Sequence, residues 1–306
     1  MAHILSLTEA VRDLIHNGDT VALEGFTHLI PYAAGHEIIR QRKRGLTLVR
    51  MTPDIIADQL VAAGVVDRMV FGFTGNSAVG SLHSIRRAIE KDGSLEIEEY
   101  SHYGLLGRYL AGASDLPFYP LGSYAGGDLT TVNPLIRKVT SPYQTGDDVE
   151  EVYVVPPIRP DVAIIHAQRA DRDGNVQVWG IVGPQQEVVF ASRRSIVLVE
   201  EIVEPEVVRS DPNRTVLPSF TVDAIVQCPR GAHPSYVQGY YDRDNDFYSH
   251  WSTISKDPEL LDRWIQEWVH DVPDHAAYLE KLGANHFDDL TPVPAPSAPV
   301  DYGSTL

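Results

Sequence analysis

Four short segments carry residue types that can stabilise or move charge. Ser101-His102-Tyr103-Gly104 follows a predicted strand and opens a predicted helix. The Tyr103 phenol can donate to an oxygen that gains negative charge, and the His102 imidazole can give or take a proton near neutral pH. Gly25-Phe26-Thr27 and Thr74-Gly75-Asn76 lie at the carboxyl ends of predicted strands, where backbone N–H groups meet ligands in α/β sheets. Gln168 stands at a further strand end with a side-chain amide to offer. Each has a plainer reading. The glycines would merely permit tight turns, Tyr103 would pack, His102 would cap its helix, and Gln168 would brace a hairpin.

Such groups need rigid elements behind them, and the apolar pattern supplies these. Leu7 to Ile15 has helical spacing, with Ser6 and Glu9 forming a capping box before Asn17-Gly18 ends the helix. Strands are predicted over 20–23, 46–50, 68–71 and 95–99, alternating with helices over 33–41, from Asp54, over 79–90 and over 105–113. The pattern resumes with strands over 152–155, 162–166 and 196–203, and Asp171-Arg172-Asp173-Gly174-Asn175 reads as a hairpin turn before Val176 to Trp179. This alternation predicts an α/β fold with a mainly parallel sheet and helices on both faces. Pro117 to Tyr143, rich in Gly, Pro and Thr, reads as a long functional loop or lid. We divide the chain into an α/β domain over 1–230, an aromatic and helical extension over 231–290, with helices over 258–270 and 274–282, and a Pro-rich tail over 291–306.

Composition excludes several classes. A net charge of -17 over 306 residues argues against a nucleic-acid partner. The basic run Arg40-Gln41-Arg42-Lys43-Arg44 closes a predicted helix, where cations favour the C-terminal dipole. With Cys228 the single cysteine, neither an intrachain disulfide nor a multi-cysteine zinc site is possible, and a cytoplasmic location is expected. The first residues lack a signal-peptide pattern and no run approaches a membrane span, so a soluble, unprocessed protein is expected. Asp242-Arg243-Asp244-Asn245-Asp246 starts like a calcium loop, yet Phe247 stands where Gly is required and Thr253 where Glu belongs. His270 and His275 are separated by Pro273, so no metal site is expected. No Gly-x-Ser-x-Gly elbow and no dinucleotide-binding glycine spacing occurs.

The segment from Asn17 to Pro31, with its apolar strand and Gly25-Phe26, resembles the first signature of the class I coenzyme A transferases, although Glu24 replaces a glycine there. Gly75 to His83, Glu98 to Gly104, Val139 to Tyr143 and His166 to Asp171 with Gly174-Asn175 resemble the alpha subunit of glutaconate CoA-transferase and its relatives. The resemblance spans roughly residues 5–230 and implies a Rossmann-like CoA-transferase fold. It also implies an enzyme that moves CoA between an acyl-CoA and a carboxylic or dicarboxylic acid, with the CoA thioester as co-substrate and no other cofactor. The family's attacking glutamate sits in a Ser-Glu-Asn-Gly type motif, which is absent here. A beta subunit is therefore implied, in a heterodimer, heterotetramer or larger assembly, and positive charge for CoA is sought on that partner. Relatives carry Gln where Tyr103 stands, which assigns Tyr103, supported by His102, to the oxyanion of thioester attack. Substrate contacts fall to Gly25, Phe26, Thr27, Thr74, Gly75, Asn76, Ser101 and Gln168. Two other outcomes stay open: an acyl-CoA hydrolase, ring-opening enzyme or decarboxylase on the same scaffold, and a ligand-sensing module, for which the chain lacks room for a helix-turn-helix.

Overall fold

Val21, Ala22 and Leu23 form a run with no polar alternation, and all three are buried, as expected of a strand covered on both faces. In the computed structural model, which describes residues 2–76, 80–143 and 151–292, that strand belongs to a largely parallel sheet. The strands in chain order are β1 (His3–Ile4), β2 (Thr20–Glu24), β3 (Leu46–Arg50), β4 (Val66–Phe71) and β5 (Glu96–Glu99), then β6 (Tyr119–Leu121), β7 (Arg137–Thr140) and β8 (Glu151–Val155). After these come β9 (Val162–Asp171), β10 (Val176–Gln177), β11 (Ser195–Val203), β12 (Thr215–Leu217) and β13 (Ala224–Gln227). The main sheet runs β1-β13-β11-β9-β2-β3-β4-β5, every pair parallel. The order reverses at β2 beside β9, and β10 and β12 add an antiparallel edge through the hairpin that follows Asp171. That turn is locked by the Asp171 carboxylate, which accepts from the N–H groups of Asp173, Gly174 and Asn175.

Two apolar clusters cover the sheet. One face holds helices Leu7–Leu14, Tyr32–Arg40 and Ile55–Ala62, and the other holds helices His102–Ala113 and Gln185–Ala191. Ser6 and Glu9 form the expected capping box. The segment 117–143 contains β6, β7 and a short helix, Leu129–Val132, and pairs with β8 in a separate antiparallel sheet of order β6-β8-β7, where a loop or lid was expected. β8 lies where the strand over 152–155 was expected, but β6 and β7 escape notice because they are three and four residues long and mix Pro, Arg, Lys and Thr with few apolar positions. The segment 79–90 is helical from His83 and passes into a π-helical turn at Ala88–Asp92; its expected start at Val79 and most of the Pro-rich tail lie outside the described residues.

The 231–290 segment contains helices Asn245–Lys256, Pro258–Ile265 and His275–Leu282, the first of them additional to the two expected. Trp251, Trp264 and Val269 join the same cluster as Ile15, Leu23 and Ile56. Trp251 is fully buried, stacks on Phe247, and donates its indole N–H to Asp58 Oδ2 at 2.9 Å. Burial pushes the Asp58 carboxyl up to about 6, against its hydrogen bonds from Ile85 N–H and Trp251. Among the described residues, no helix is long and apolar enough to cross a membrane.

The indole bond carries a measurable share of stability. Trp251→Phe leaves a buried carboxylate oxygen without its donor and opens a void, and should lower the free energy of urea unfolding by about 2–4 kcal/mol. Adding Asp58→Asn should recover part of that loss, because a neutral amide is easier to bury. A loss within about 0.5 kcal/mol for the single variant would remove any structural weight from the bond.

Candidate active site

The carboxyl ends of β2, β3 and β4 open into a cleft of about 270 Å³. Its loop geometry is dictated by glycine. After β2 the chain turns so sharply that a Cβ on Gly25 would lie 2.4 Å from the Leu29 carbonyl oxygen. Thr27 and Leu29 complete the turn with φ of 64° and 56°, a left-handed conformation that costs non-glycine residues roughly 1 kcal/mol or more each. The turn presents Phe26, Thr27 and Ile30 to the cleft. On the opposite wall, Gly72 lets the exit of β4 approach the start of helix His102–Ala113, since a Cβ there would meet His102 Cα at 3.0 Å. His102 and Phe73 line that wall.

Beneath the cleft lies a group of buried charges. Arg50, fully buried at the end of β3, donates to the carbonyls of Leu23, Gly25 and Thr52, and its Nη2 lies 3.4 Å from Asp54 Oδ1. Glu24 Oε1 accepts from Met51 N–H at 2.7 Å and from the Tyr109 hydroxyl at 2.9 Å. Burial raises the Glu24 carboxyl to about 7 despite the Arg50 guanidinium, and burial likewise raises Asp54. These groups tie the ends of β2 and β3 together and fix where Phe26 and Thr52 stand.

The expected site residues separate. His102 faces the cleft, with Nε2 2.9 Å from Thr52 Oγ1 and its ring near those of Phe26 and Phe73. Tyr103 does not line the cleft; it is half exposed and lies edge-on to Tyr119 of β6. The reason is helical geometry: successive residues point about 100° apart, so a helix that turns residue 102 inward turns residue 103 aside. Ser101 is the N-cap of that helix, accepting from Gly104 N–H and lying 3.2 Å from the Tyr124 hydroxyl, and it does not reach the cleft. Gly25 shapes the cleft, and Phe26 and Thr27 line it.

Thr74, Gly75 and Asn76 line an adjoining hollow of about 370 Å³ that shares Phe73 with the cleft. The Asn76 amide is spent on the Tyr248 carbonyl at 3.0 Å. Gln168 is fully buried with both ends of its amide bonded to the Trp179 backbone, which makes it a brace of the β9–β10 hairpin rather than a ligand contact. Seven further cleft residues were not among those expected, Ile30, Arg50 and Phe73 at or near the strand ends and four others for different reasons. Thr52 and Asp54 follow β3 in a Thr-Pro-Asp turn whose strand-end position was a usable signal, whereas Arg243 and Tyr248 come from beyond residue 230 with no local signature. The Arg243 guanidinium stacks on the Tyr248 ring at 4.3 Å.

A parallel sheet whose strand ends beside the reversal of strand order open into a cleft with apolar walls and a few polar groups defines an α/β enzyme of the ligand-binding, doubly covered kind. Residues 4–228 match the coenzyme A transferase family. The chain is 50% identical over 284 residues to the A-type subunit of 3-oxoadipate CoA-transferase from Pseudomonas knackmussii, covering 92% of this chain and 99% of that one. The crystal structure of glutaconate coenzyme A-transferase from Acidaminococcus fermentans matches with a TM-score of 0.90 at 36% identity, covering 95% and 96% of the two chains. A variant of the decarboxylase AibA/AibB matches with a TM-score of 0.72 at 31% identity, covering 87% of this chain and 98% of that one. This chain belongs to the coenzyme A transferase family and is an enzyme subunit of the class I, alpha type.

Glu24 gives the site a pH signature. Its carboxyl moves from the ordinary 4.5 to about 7 on folding, so folding takes up a proton between those values. The stability this confers is complete at low pH and declines as pH rises through that window, by at most about 1.4 kcal/mol per pH unit. Glu24→Gln keeps an acceptor for Met51 and Tyr109 and removes the titration. The difference in urea stability between native and variant protein should therefore fall from about pH 5 to about pH 8. Parallel pH profiles would mean that Glu24 ionises in the folded chain as it does in water.

Proposed function

We propose that this chain is the alpha subunit of a heteromeric CoA transferase that moves CoA between an acyl-CoA and a dicarboxylic acid of the 3-oxoadipate or glutaconate kind. The observation that carries this is the cleft itself. Phe26, Ile30 and Phe73 suit an acyl chain, His102 with Thr52 suits polar contact at the reacting carbonyl, and Arg243 suits an acidic group. The carboxylate that lines it, Asp54, is held at buried Arg50, so the attacking glutamate comes from the beta subunit. That carboxylate adds to the thioester carbonyl and expels CoA thiolate, leaving an acyl-glutamyl anhydride. CoA thiolate then adds to the glutamyl carbonyl and expels the first acid; a second carboxylate adds to that glutamyl thioester and expels CoA thiolate, which adds to the new acyl carbonyl and releases the glutamate, so atoms and charge balance without any other cofactor.

The 50% identity to a transferase subunit favours this outcome over decarboxylation or hydrolysis on the same scaffold. A cytoplasmic setting agrees with a single buried Cys228. His102, Phe26 and Thr27 are the contacts this reading relies on. Thr74, Gly75 and Asn76 belong to the adjoining hollow, where the rest of the CoA thioester would lie.

Co-expression with a beta subunit should give a mixed complex with ping-pong kinetics. Treating that complex with acyl-CoA and borohydride, which reduces a glutamyl thioester, should change the mass of the beta chain and leave this chain unaltered. Release of CoA at full rate without an acceptor acid, with neither chain modified, would favour hydrolysis or decarboxylation instead.

The adjacent pair at the start of the helix gives a second test. In the assembled complex, His102→Ala should lower kcat/KM roughly 100-fold, while Tyr103→Phe should stay within a few-fold of native. The reverse ranking would place the phenol, and not the imidazole, at the thioester.

A further inference from the structure

His233, Asp244 and His286 lie 11 and 42 residues apart, a spacing that no local ligand motif matches, yet the fold brings three of their atoms together. His233 Nε2 is 3.1 Å from Asp244 Oδ2 and 3.2 Å from His286 Nε2, and His286 Nε2 is 3.0 Å from Asp244 Oδ2. His233 is in the turn after β13, Asp244 caps helix Asn245–Lys256, and His286 follows helix His275–Leu282. We propose that these residues form a binding site for a first-row divalent transition-metal ion that fastens the C-terminal segment to the sheet.

The argument begins with protons. A triangle of three polar atoms has three contacts, and each needs one hydrogen between its ends. Ionised Asp244 supplies none, and each Nε2 carries at most one. If both imidazoles donate to Asp244, two N–H groups face each other at 3.2 Å; if one imidazole is an acceptor, its lone pair faces a carboxylate lone pair. Hydrogen bonds alone leave one side of the triangle repulsive. A cation above its face satisfies all three lone pairs together.

Spacing and support fit the same reading. Donors bound at about 2.1 Å to one ion lie roughly 3.0 to 3.4 Å apart, from an octahedral edge to a tetrahedral one. The two imidazole planes are nearly perpendicular, 81° apart, so both nitrogens can approach one point without the rings clashing. His233 Nδ1 lies 2.9 Å from the buried Tyr278 hydroxyl, which can accept its hydrogen and leave Nε2 as the lone-pair end. Asp244 Oδ1 is occupied by the Phe247 N–H, which turns Oδ2 toward the histidines.

Phe247, Phe287 and Tyr278 wall the cluster, so water competes weakly there, while partly exposed His286 leaves a side for entry and for water ligands. Arg230, whose guanidinium is stacked on the Phe287 ring at 3.9 Å, is a positive charge that acts on His233. Two imidazoles and one carboxylate suit Zn²⁺ or Fe²⁺ more than Mg²⁺ or Ca²⁺. Arg243 and Tyr248 flank Asp244 in sequence, so an ion here would also fix that wall of the cleft.

The test uses the full-length chain, produced without a histidine tag. Elemental analysis after dialysis should find about one equivalent of a transition metal per chain, and stripping it with a chelator should lower the thermal midpoint. Zn²⁺, Fe²⁺ under anaerobic conditions, Mg²⁺ and Ca²⁺ are then added back separately, with the first two expected to restore the midpoint and the last two to leave it unmoved. His286→Gln, at a partly exposed position, should fold with the midpoint of the stripped protein and bind Zn²⁺ at least about 100-fold more weakly. Tyr278→Phe, which touches no ion, should weaken binding by about 10-fold. An untagged chain that retains no metal and gains no stability from any of these ions would overturn the proposal, as would undiminished Zn²⁺ affinity in His286→Gln.

Discussion

Everything about the cleft depends on the hydrogen bonds that two buried ionisable side chains, Arg50 and Glu24, make between the ends of β2 and β3. Arg50 reaches across to two carbonyls of the β2 end while Glu24 reaches back to the Met51 amide, so each strand end supplies what the other lacks. Interactions of this kind gain little net stability, because desolvation offsets most of the attraction, but they allow few alternative geometries. The tight turn at Gly25 and the left-handed Thr27 and Leu29 are tolerable because the strand ends beneath them are held. In this chain a titrating carboxylate, Glu24, does much of that holding.

The second constraint is aromatic. Trp251, Trp264 and Phe247 cover helices that would otherwise expose Ile56, Ile38 and Leu60, and the same segment delivers Arg243 and Tyr248 to the cleft. Packing and chemistry therefore share one stretch of chain. Polar Asp58 and His36 sit inside this aromatic layer; burial drives the His36 imidazole down to about 3, so it is a neutral partner of Gln59.

The central fold was legible because its strands are uninterrupted apolar runs and its first helix is capped: β2, β3, β4, β9 and β11 lie where periodicity put them, and Ser6 caps as expected, whereas helix His102–Ala113 is capped by Ser101, which was expected as a substrate contact. The small antiparallel sheet was not legible, since Tyr119-Pro120-Leu121 and Arg137-Lys138-Val139-Thr140 have no alternation to read. In the site, the glycine turns were readable from strand ends, and His102 was found beside Tyr103. Separating that pair required knowing which face of the helix turns to the cleft, a tertiary fact. Arg243 and Tyr248 were out of reach for another reason: they approach residues 26–54 through space, from about 200 positions away.

That separation has a consequence for biosynthesis. A nascent chain leaving the ribosome completes β13 at Gln227 with every strand of the main sheet in hand, yet the helices over 7–62 still lack the tryptophans that cover them. Between that moment and the emergence of Trp268, a sticky, water-exposed surface persists for about forty residues of elongation. Termination just past the family-matched region would release a polypeptide with its sheet assembled and its aromatic cladding missing, a natural client for chaperones and a poor candidate for truncation.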